Sequence, residues 1–507
     1  MTTEASLVGL VFLPLLAACL LWAVGQRAPW LRQGLVWLSL LAPLALLLAP
    51  TLALTTQPVV EVVLAGHAPP LGIGLRLDAL SLLMLWLVAV VGAGAGAYAS
   101  FVEPPGSDAG TRFWPPWLLL MAGLNALFLS ADLFNLYVAI ELVTLAAVAL
   151  VAWSGKGAAL RAAMRYLLLA MLASLAYLLA VALLYAEHGT LDLYLLARGV
   201  AAGSDTTRIA LALLIVSLLL KAAIFPLHIW LPPAHARAPG AVSAVLSALV
   251  VKGSVYLVYR IWFWTLEGAQ PALVANLLGA LGAGAILYGS IAALLQSRLK
   301  PPVAYSTVAQ LGYLMLVFPM TATVASGALA WKGVIYQLLS HGLAKAALFL
   351  AAASLLRGIG SDRLVDLAGA SRRFPLSVFA VGLSGISLMG LPPSGGFLAK
   401  WLLLEAAWIQ RGWVWMAVLL LGSLLASVYV FRALSAMMAT PGDDAKTLAG
   451  GAQGQPVPWQ MDVAAVTLAL LAVIAGFASA PIFELLNAAA PFPRVESATP
   501  ISERALP

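Results

Sequence analysis

Residues 220–260 read LKAAIFPLHIWLPPAHARAPGAVSAVLSALVVKGSVYLVYR and contain the feature from which the architecture follows. Two lysines, Lys221 and Lys252, lie inside runs that are otherwise apolar enough to be membrane helices, and Pro226 interrupts the first run. A charged side chain at bilayer depth costs roughly 2.5–3.5 kcal/mol on insertion scales. Two such lysines therefore indicate that the segment carries, or responds to, an ion.

The composition of the whole chain supports a membrane location. Of 507 residues, 63% are hydrophobic and only 9% are charged. A soluble protein needs about a quarter of its residues charged to cover its surface, so the solvent of this chain must be lipid. The net charge of +7 does not indicate nucleic-acid binding, because no basic patch exists outside the apolar runs.

The apolar runs predict an all-α polytopic membrane protein. A spanning helix needs roughly 20 mostly apolar residues, and about fourteen such runs are present. They start near Ser6, Gly34, Ala79, Trp114, Leu133, Ala162, Ile209, Ala241, Ala272, Val303, Ala328, Leu376, Val414 and Val463.

The loop charges predict the orientation of these helices. If both termini lie on the outer side, the inside loops carry fifteen Lys and Arg residues and the outside segments at most eight. Cytoplasmic loops carry such an excess in inner-membrane proteins. We therefore expect a multi-pass protein of the bacterial inner membrane with both termini outside.

One acid and one lysine at depth form the first predicted site. A buried lysine favours its neutral form, whereas a nearby carboxylate favours the charged form. We expect Glu141 and Lys221 to pair, so that moving or neutralising one partner makes the other exchange a proton. The alternative is a static buried ion pair that only orients helices, although such pairs stabilise proteins poorly compared with apolar packing.

A second group of titratable residues lies further along the chain. His341 and Lys345 are spaced i, i+4 and share one helix face. With Lys252 and Lys400 they would form a row if their helices meet at mid-depth. The alternative for each lysine is that its ammonium group reaches the membrane interface; this fits Lys345 best and Lys252 least.

Three further residues are candidates for proton uptake or relay. Pro226 frees a backbone carbonyl that must find water or protein, and His228 lies beside this break, seven residues after Lys221, where a regular helix would place both on one face. The alternative for His228 is a polar helix cap. His235, in a stretch typical of an inside surface loop, serves either proton uptake or loop structure. We assign Asp132, at a helix start, a structural or uptake role.

An internal repetition links the two halves of the chain. RYLLLAMLASLAYLLAVALL around Tyr166 corresponds to YQLLSHGLAKAALFLAAASL around Tyr336, 170 residues later. The break at Pro226 has a counterpart at Pro392 and Pro393, about 167 residues later. Broken helices at corresponding positions of two halves are the best sequence pointer to a transporter's ion site.

Motifs for other chemistry are missing from the sequence. We find no P-loop, no GxGxxG between a strand and a helix, no CxxC and no HExxH. The single cysteine, Cys19, is predicted to be a small buried residue and cannot form an intrachain disulfide. We therefore predict no metal site, no cofactor, and no redox or hydrolytic chemistry by the chain itself, although it could belong to an ion-translocating oxidoreductase.

The motifs DLFNLYVAIELV, LKAAIFPLHIWLPPAHARAP, LKPPVAYSTVAQLGYL, LLSHGLAKAALFL and GLPPSGGFLAKW resemble the proton-pumping membrane subunits shared by respiratory complex I and Mrp-type cation/proton antiporters. The resemblance runs from about Gly72 to Tyr429 and is strongest to the Mrp D subunit and its membrane-bound hydrogenase counterparts. It implies fourteen helices, two inverted five-helix repeats and breaks in helices 7 and 12. It also implies that the family's proton-carrying positions are Glu141, Lys221, Lys252, His341, Lys345 and Lys400.

The resemblance implies a division of the chain into four parts. Residues 1–110 hold helices 1–3, residues 111–268 the first repeat, residues 269–438 the second repeat, and residues 439–507 a loop, the last helix and a short tail. Two departures matter. Pro233 stands where many relatives have an acid, and the chain ends about twenty residues after its last run, unlike the complex I subunit with a long lateral helix.

We therefore expect a proton-translocating subunit of a multi-subunit Na+/H+-type antiporter, with other membrane subunits as partners and protons and Na+ or K+ as transported ions. One alternative is a pumping subunit of a redox-driven complex, either an NADH:quinone oxidoreductase or a membrane-bound hydrogenase. Less favoured alternatives are a subunit of an inorganic-carbon-uptake complex and a non-transporting scaffold, for which four deep lysines would have no explanation.

Overall fold

The computed structural model describes residues 2–67, 72, 74–200, 204–266, 270–440, 454–488 and 491–492. Their structure is almost entirely helical. The helices are α1 Thr3–Val24, α2 Pro29–Leu46, α3 Leu48–Ala53, α4 Ala79–Val102, α5 Asp108–Leu129, α6 Leu133–Val151, α7 Gly157–His188, α8 Leu193–Val200, α9 Asp205–Lys221, α10 Leu231–Arg237, α11 Gly240–Thr265, α12 Ala272–Leu294, α13 Lys300–Met315, α14 Val324–Ile359, α15 Ala370–Arg373, α16 Pro375–Met389, α17 Gly395–Ile409, α18 Trp413–Met438, α19 Trp459–Ile474 and α20 Ser479–Ala488.

Polar residues fix where several helices begin. Asp78 caps α4 and Asp132 caps α6, each accepting a backbone N–H from the first turn with its carboxylate. Thr323 and Ser326 form a reciprocal capping box at the start of α14. Such caps satisfy the N–H groups that a helix start leaves unpaired, which matters most where little water is present.

The helices agree with the predicted apolar runs. Each of the fourteen predicted starts lies inside a helix of the structure. Within the described ranges, ten helices are long and apolar enough to cross a membrane, or eleven if the bent pair α19 and α20 is one span. The chain is thus a polytopic helical membrane protein, and the exact number of spans stays a prediction.

A small hairpin precedes α4. Strands β1 Val60–Val63 and β2 Gly74–Leu77 pair antiparallel, with Val60 opposite Leu77. Asp78 follows β2 directly, so the hairpin leads straight into the cap of α4.

Burial separates central helices from peripheral ones. The most apolar stretch of α11 is 100% buried inside the protein, whereas that of α18 is only 28% buried. The apolar residues of α7 and α18 that face outwards include Leu175 and Leu424, as expected where lipid replaces water. The central position of α11 and α14 places their lysines far from lipid.

Two helices are interrupted at the predicted prolines. The chain is not helical between Lys221, where α9 ends, and Leu231, where α10 begins, and Pro226 lies in this gap. The second interruption lies between Met389 and Gly395 and contains Pro392 and Pro393. Its first residue, Gly390, has a φ of 80°, which glycine adopts without the strain of a Cβ atom.

Candidate functional site

The Glu141–Lys221 pair lies where α6 and α9 meet beside the first helix break. The Lys221 Nζ donates to Glu141 Oε1 over 2.9 Å, and the exposed side-chain fractions are 4% for Lys221 and 22% for Glu141. The hydroxyl of Ser174, on α7, donates to the same carboxylate oxygen over 2.5 Å. A carboxylate held by two donors is fixed in place for proton exchange with the lysine.

An aromatic pair stabilises the break next to Lys221. The indole Nε1 of Trp230 donates to the carbonyl of Leu220 over 3.0 Å. The ring of Tyr166 stacks on Trp230 with centroids 4.1 Å apart. The Leu220 carbonyl also accepts the Ala223 backbone N–H over 3.2 Å, so both of its acceptor positions are occupied, as backbone groups away from water require. The aromatic pair thus covers the inner side of the break, whereas Pro226 and Ile229 are exposed on its outer side.

Lys252 is held by a distortion of its own helix. Residues Leu246–Val250 form a π turn within α11, and such turns displace carbonyls from the regular helical pattern. The Nζ of Lys252 donates to the Ser247 carbonyl over 2.9 Å. The Lys252 side chain is fully buried, and no carboxylate pairs with it among the described residues.

Lys345 and Lys400 are also solvated by backbone carbonyls. The Nζ of Lys345 donates to the Val303 carbonyl and, over 2.9 Å, to Ser306 Oγ. The Nζ of Lys400 donates to Leu388 O over 2.8 Å and Met389 O over 3.1 Å. These last two carbonyls end α16 at the second break, so the break provides the ligands of the lysine.

His341 lies one helical turn before Lys345 on α14. The charges of Lys252, Lys345 and Lys400 all act on its ring, and the row that these residues would form stays a prediction. His341 is buried, and neither ring nitrogen has a hydrogen-bond partner in the described part of the chain. An imidazole with both nitrogens free can accept a proton on one side and release it on the other.

Uncharged polar side chains surround this cluster. Gln337 donates to Gln310 over 2.7 Å, Gln310 donates to the Leu388 carbonyl over 3.2 Å, and the hydroxyls of Ser340 and Ser387 lie 2.7 Å apart. Because Leu388 also accepts from Lys400, these groups lie beside the lysine row. The interior between α13, α14 and α16 is polar over several turns.

Comparison with known proteins places this geometry in a family. Residues 130–426 match the family described as "NADH:quinone oxidoreductase/Mrp antiporter, TM", which covers more than half of the chain. The chain belongs to this family. The predicted resemblance is thereby confirmed, and both the Glu141–Lys221 pair and the lysine row around His341 lie inside the matched region.

Relatives within the family carry two kinds of name. Over 374 residues the chain is 38% identical to the N subunit of NADH-quinone oxidoreductase of Desulforudis audaxviator, covering 73% of this chain and 74% of the relative. Over 423 residues it is 29% identical to the D subunit of the Na(+)/H(+) antiporter of Alkalihalophilus pseudofirmus, covering 83% of each. The sequence is thus similar to both branches of the NADH:quinone oxidoreductase/Mrp antiporter family.

The fold is similar to a solved antiporter assembly. A chain in the structure of the Mrp complex from Dietzia sp. DQ12-45-1b superposes with a TM-score of 0.86 and 26% identity. The superposition covers 97% of this chain and 98% of that one. The similarity therefore extends beyond the matched family region to both ends of the described structure.

Two histidines of the family region lie differently from the expectation. Because α9 ends at Lys221, no regular helix places His228 on the face of Lys221; the His228 ring instead packs against Phe225 and Tyr288. His235 was expected in a surface loop, but it is buried in α10 and stacks on Phe349 with ring centroids 4.6 Å apart. The apolar residues around the prolines fold this stretch inwards.

Two acids and the cysteine complete the comparison with expectation. Asp132 caps α6, because its carboxylate accepts the Asn135 backbone N–H over 2.8 Å. Of the two roles predicted for Asp132, this contact corresponds to the structural one. The sequence also offers Glu405, five residues after Lys400, either as a partner of that lysine or as a residue near the outer interface; it is exposed on α17, and none of the ion pairs among the described residues joins it to Lys400. The expectation of a buried Cys19 is wrong, because this residue is exposed on α1, where a thiol can face lipid.

The sequence reasoning missed a buried ion pair. Arg260 is one of the eight basic residues counted for the outside segments and was predicted to lie at a helix border. Both of its terminal nitrogens instead donate to the Asp78 carboxylate, over 2.5 and 2.6 Å. Arg260 also donates to Ser81 over 2.8 Å. The guanidinium thus ties the end of α11 to the start of α4. The signal was an arginine eight positions after Lys252, with seven mostly apolar residues between the two.

A further interior acid was also missed. Asp462, in the first turn of α19, is buried and accepts from Ser377 over 2.7 Å. Among the residues that the structure describes, no group of three or more His, Cys, Asp or Glu side chains could hold a metal ion. Lys446, Arg494, Arg504 and the predicted part boundary at 268/269 lie outside the described residues.

Proposed function

We propose that the chain is the proton-translocating subunit of a multi-subunit cation/proton antiporter of the Na+/H+ type. The observation that carries this proposal is the hydrogen-bonded Glu141–Lys221 pair, together with three further lysines, Lys252, Lys345 and Lys400, that are buried without a carboxylate ion-pair partner among the described residues. Ionisable groups inside a membrane protein are expensive and mark ion pathways. A protein that only supported other subunits would be more stable with apolar residues at these positions.

The first step takes place at the Glu141–Lys221 pair. While the 2.9 Å bond is intact, the carboxylate stabilises the charged ammonium group. When the carboxylate is protonated or moves away, the buried lysine loses its countercharge, and its neutral form becomes favoured. The proton released by Lys221 then moves towards the second group of residues.

The later steps use the lysines that backbone carbonyls hold. Each ammonium can pass its proton to His341 and regain one, because carbonyl ligands accept hydrogen bonds from a charged lysine without fixing its charge as a carboxylate does. Repulsion among Lys252, Lys345 and Lys400 disfavours charging all three at once. A proton that arrives on one lysine therefore promotes release from another.

The antiporter assignment rests on the close structural similarity to a chain of the Mrp complex, with a TM-score of 0.86 over 97% of this chain. We propose that other membrane subunits are its partners, and that Na+ or K+ is exchanged for protons. In the described residues the only carboxylate within the proton-carrying series is Glu141, so the cation site would lie elsewhere in the assembly.

A redox-driven complex is the second candidate. It is favoured by the 38% identity to an N subunit of NADH-quinone oxidoreductase, which exceeds the 29% identity to the D subunit of the antiporter. The same proton-carrying residues would then be driven by conformational changes that originate in a redox partner. Nearby genes for small antiporter subunits would favour the first candidate, and genes for dehydrogenase or hydrogenase subunits the second.

We propose the following membrane arrangement. Fourteen spans cross the bacterial inner membrane with both termini outside, and the repeats 111–268 and 269–438 are inverted with respect to each other. The two helix breaks, one in each proposed repeat, support this division. The excess of positive charge in the inside loops supports the orientation.

Reconstitution of the purified assembly in proteoliposomes tests the proposed function. An imposed pH gradient is followed with a fluorescent dye while Na+ or K+ is added. Cation-dependent collapse of the gradient, lost in a Lys221→Ala assembly, is the expected result. Proton movement that ignores both cations and starts only on addition of an electron donor and acceptor would contradict the antiporter and favour the redox complex.

A further inference from the structure

A cavity of about 430 Å³ opens at one end of the helical bundle. It lies where α4 and α14 end and where α11 and α13 begin, and its lining includes Tyr98, Lys300, Arg357 and Gln455. The proton-carrying series does not include any of these side chains. A water molecule takes about 30 Å³ in the liquid, so the volume is sufficient for a phosphate group together with several waters.

Two cationic side chains in this lining have donors to spare. The Nζ of Lys300 donates to the Ala238 carbonyl over 3.0 Å, which leaves two of its three N–H groups. The Nε of Arg357 donates to the Pro456 carbonyl over 3.1 Å, which leaves its terminal nitrogens. No carboxylate forms an ion pair with Lys300 or Arg357 among the described residues.

The surroundings of the cavity add to its positive charge. Arg237 and Asp362 both interact electrostatically with Lys300. However, both oxygens of Asp362 accept from Arg298 over 3.1 Å, so its charge is largely compensated. The cavity therefore has an excess of positive charge and unused hydrogen-bond donors.

We propose that this cavity binds a phosphate-bearing anion, either the headgroup of an anionic phospholipid or free phosphate. Lysine and arginine donors make strong charge-assisted hydrogen bonds to phosphate oxygens. Basic pockets between transmembrane helices bind lipid headgroups on the cytoplasmic side of membranes, and the proposed orientation places this end of the bundle there. Binding at this site does not depend on which ion the assembly transports.

The experiment uses the intact assembly in nanodiscs of phosphatidylcholine with or without phosphatidylglycerol. Retained lipid is counted by native mass spectrometry, and inorganic phosphate is titrated in the phosphatidylcholine discs. The Lys300→Gln/Arg357→Gln variant is expected to weaken binding of the anion by at least about tenfold, since each removed donor made a hydrogen bond to a charged group. If the double variant retains less phosphatidylglycerol than the wild type, the bound anion is the lipid headgroup. If it binds inorganic phosphate more weakly, the bound anion is free phosphate.

Two further variants keep the test decisive. Arg372→Gln removes an exposed arginine of α15 outside the cavity lining and should leave binding unchanged. Gln455→Glu keeps both cations and adds a negative charge at an exposed position, so it should weaken binding by about tenfold. Equal retention of phosphatidylglycerol and phosphate by the wild type, the double variant and Gln455→Glu would overturn the proposal, as would a wild type that binds neither.

Discussion

The two broken elements of the chain hold their lysines in opposite ways. Lys221 is the last residue of α9, before the first break, and its ammonium group pairs with the Glu141 carboxylate. Lys400 follows the second break, in α17, and its ammonium group is bonded to the carbonyls of Leu388 and Met389. One lysine thus has a carboxylate countercharge, whereas the other is held by backbone carbonyls and lies over the Tyr313 ring, 4.7 Å from its centroid.

We propose that this difference gives the two groups of lysines separate tasks. A carboxylate stabilises the charged lysine strongly as long as it stays near, so the pair responds to any movement of its partners. Carbonyl ligands distinguish less between the charged and neutral forms, so Lys252, Lys345 and Lys400 can exchange protons with His341 more readily. The Glu141–Lys221 pair is therefore the switch of the proposed pathway, and the lysines around His341, which include Lys252 of the first repeat, are its relay.

The largest expected effect follows from removing the charge of the switch. Glu141→Gln keeps the shape of the side chain but cannot hold Lys221 charged, and we expect proton transport to fall by at least about 100-fold. Transport is measured in proteoliposomes, with assembly checked by co-purification of the other subunits. Glu405→Gln, at an exposed glutamate, is the matched control. Normal transport in Glu141→Gln would show that the pair is only structural.

The second expected effect concerns stability. Lys221→Met leaves a partly buried carboxylate without its cation, which costs about 2 kcal/mol, whereas Lys400→Met removes a group that has no countercharge to leave behind. Thermal unfolding of the purified assembly should therefore show a larger loss for Lys221→Met. Adding Glu141→Gln to that variant should restore part of the loss. Equal losses for both lysines would contradict the contrast between the halves.

The sequence predicted one side of this contrast, the Glu141–Lys221 pair, and the reasons are physical. Helix starts could be located because the bilayer requires a fixed length of apolar residues. Glu141 and Lys221, 80 residues apart, could be paired because a deep acid and a deep base each lack other partners. Both interruptions could be located because proline removes a helical hydrogen bond.

Other features depend on local geometry that side-chain identity does not reveal. The π turn Leu246–Val250 has an ordinary apolar sequence, yet it provides the carbonyl ligand of Lys252. Arg260 lies near the end of an apolar run, where an arginine usually reaches the interface, yet it is buried against Asp78. His235 is buried because of how α10 packs, which its proline-rich surroundings did not indicate.

A smaller effect tests the hydrogen bond that positions the switch. Ser174→Ala removes the hydroxyl bound to Glu141, and we expect transport to slow by about tenfold because hydrogen bonds to charged groups contribute about 1.5–3 kcal/mol. Ser217→Ala is a matched control, since this buried serine donates to the Ala173 carbonyl and not to Glu141. Equal rates in the two variants would remove Ser174 from the pathway.

The smallest effect is expected in the relay. Ser306→Ala removes one ligand of Lys345 but keeps the Val303 carbonyl. We expect a reduction of only about threefold, because the Val303 carbonyl still accepts from the Lys345 ammonium and keeps the loss near the lower end of a hydrogen bond's usual 0.5–1.5 kcal/mol, about 0.5 kcal/mol. The initial rate of proton uptake measures this change, with Ser354→Ala on α14 as the control. A loss as large as that of Ser174→Ala would mean that the relay lysines are held as tightly as Lys221.

Proton uptake by Lys221→Ala, Lys400→Ala and the double variant, compared in one set of proteoliposomes, tests most directly whether the two halves form a single pathway. A single pathway predicts that each single variant already loses nearly all transport, and that the double variant is no worse. Additive, independent sites would give a different result: each single variant would keep about half of the wild-type rate, and only the double variant would lose proton uptake. In that case the two halves would be separate pathways, and the account would be wrong.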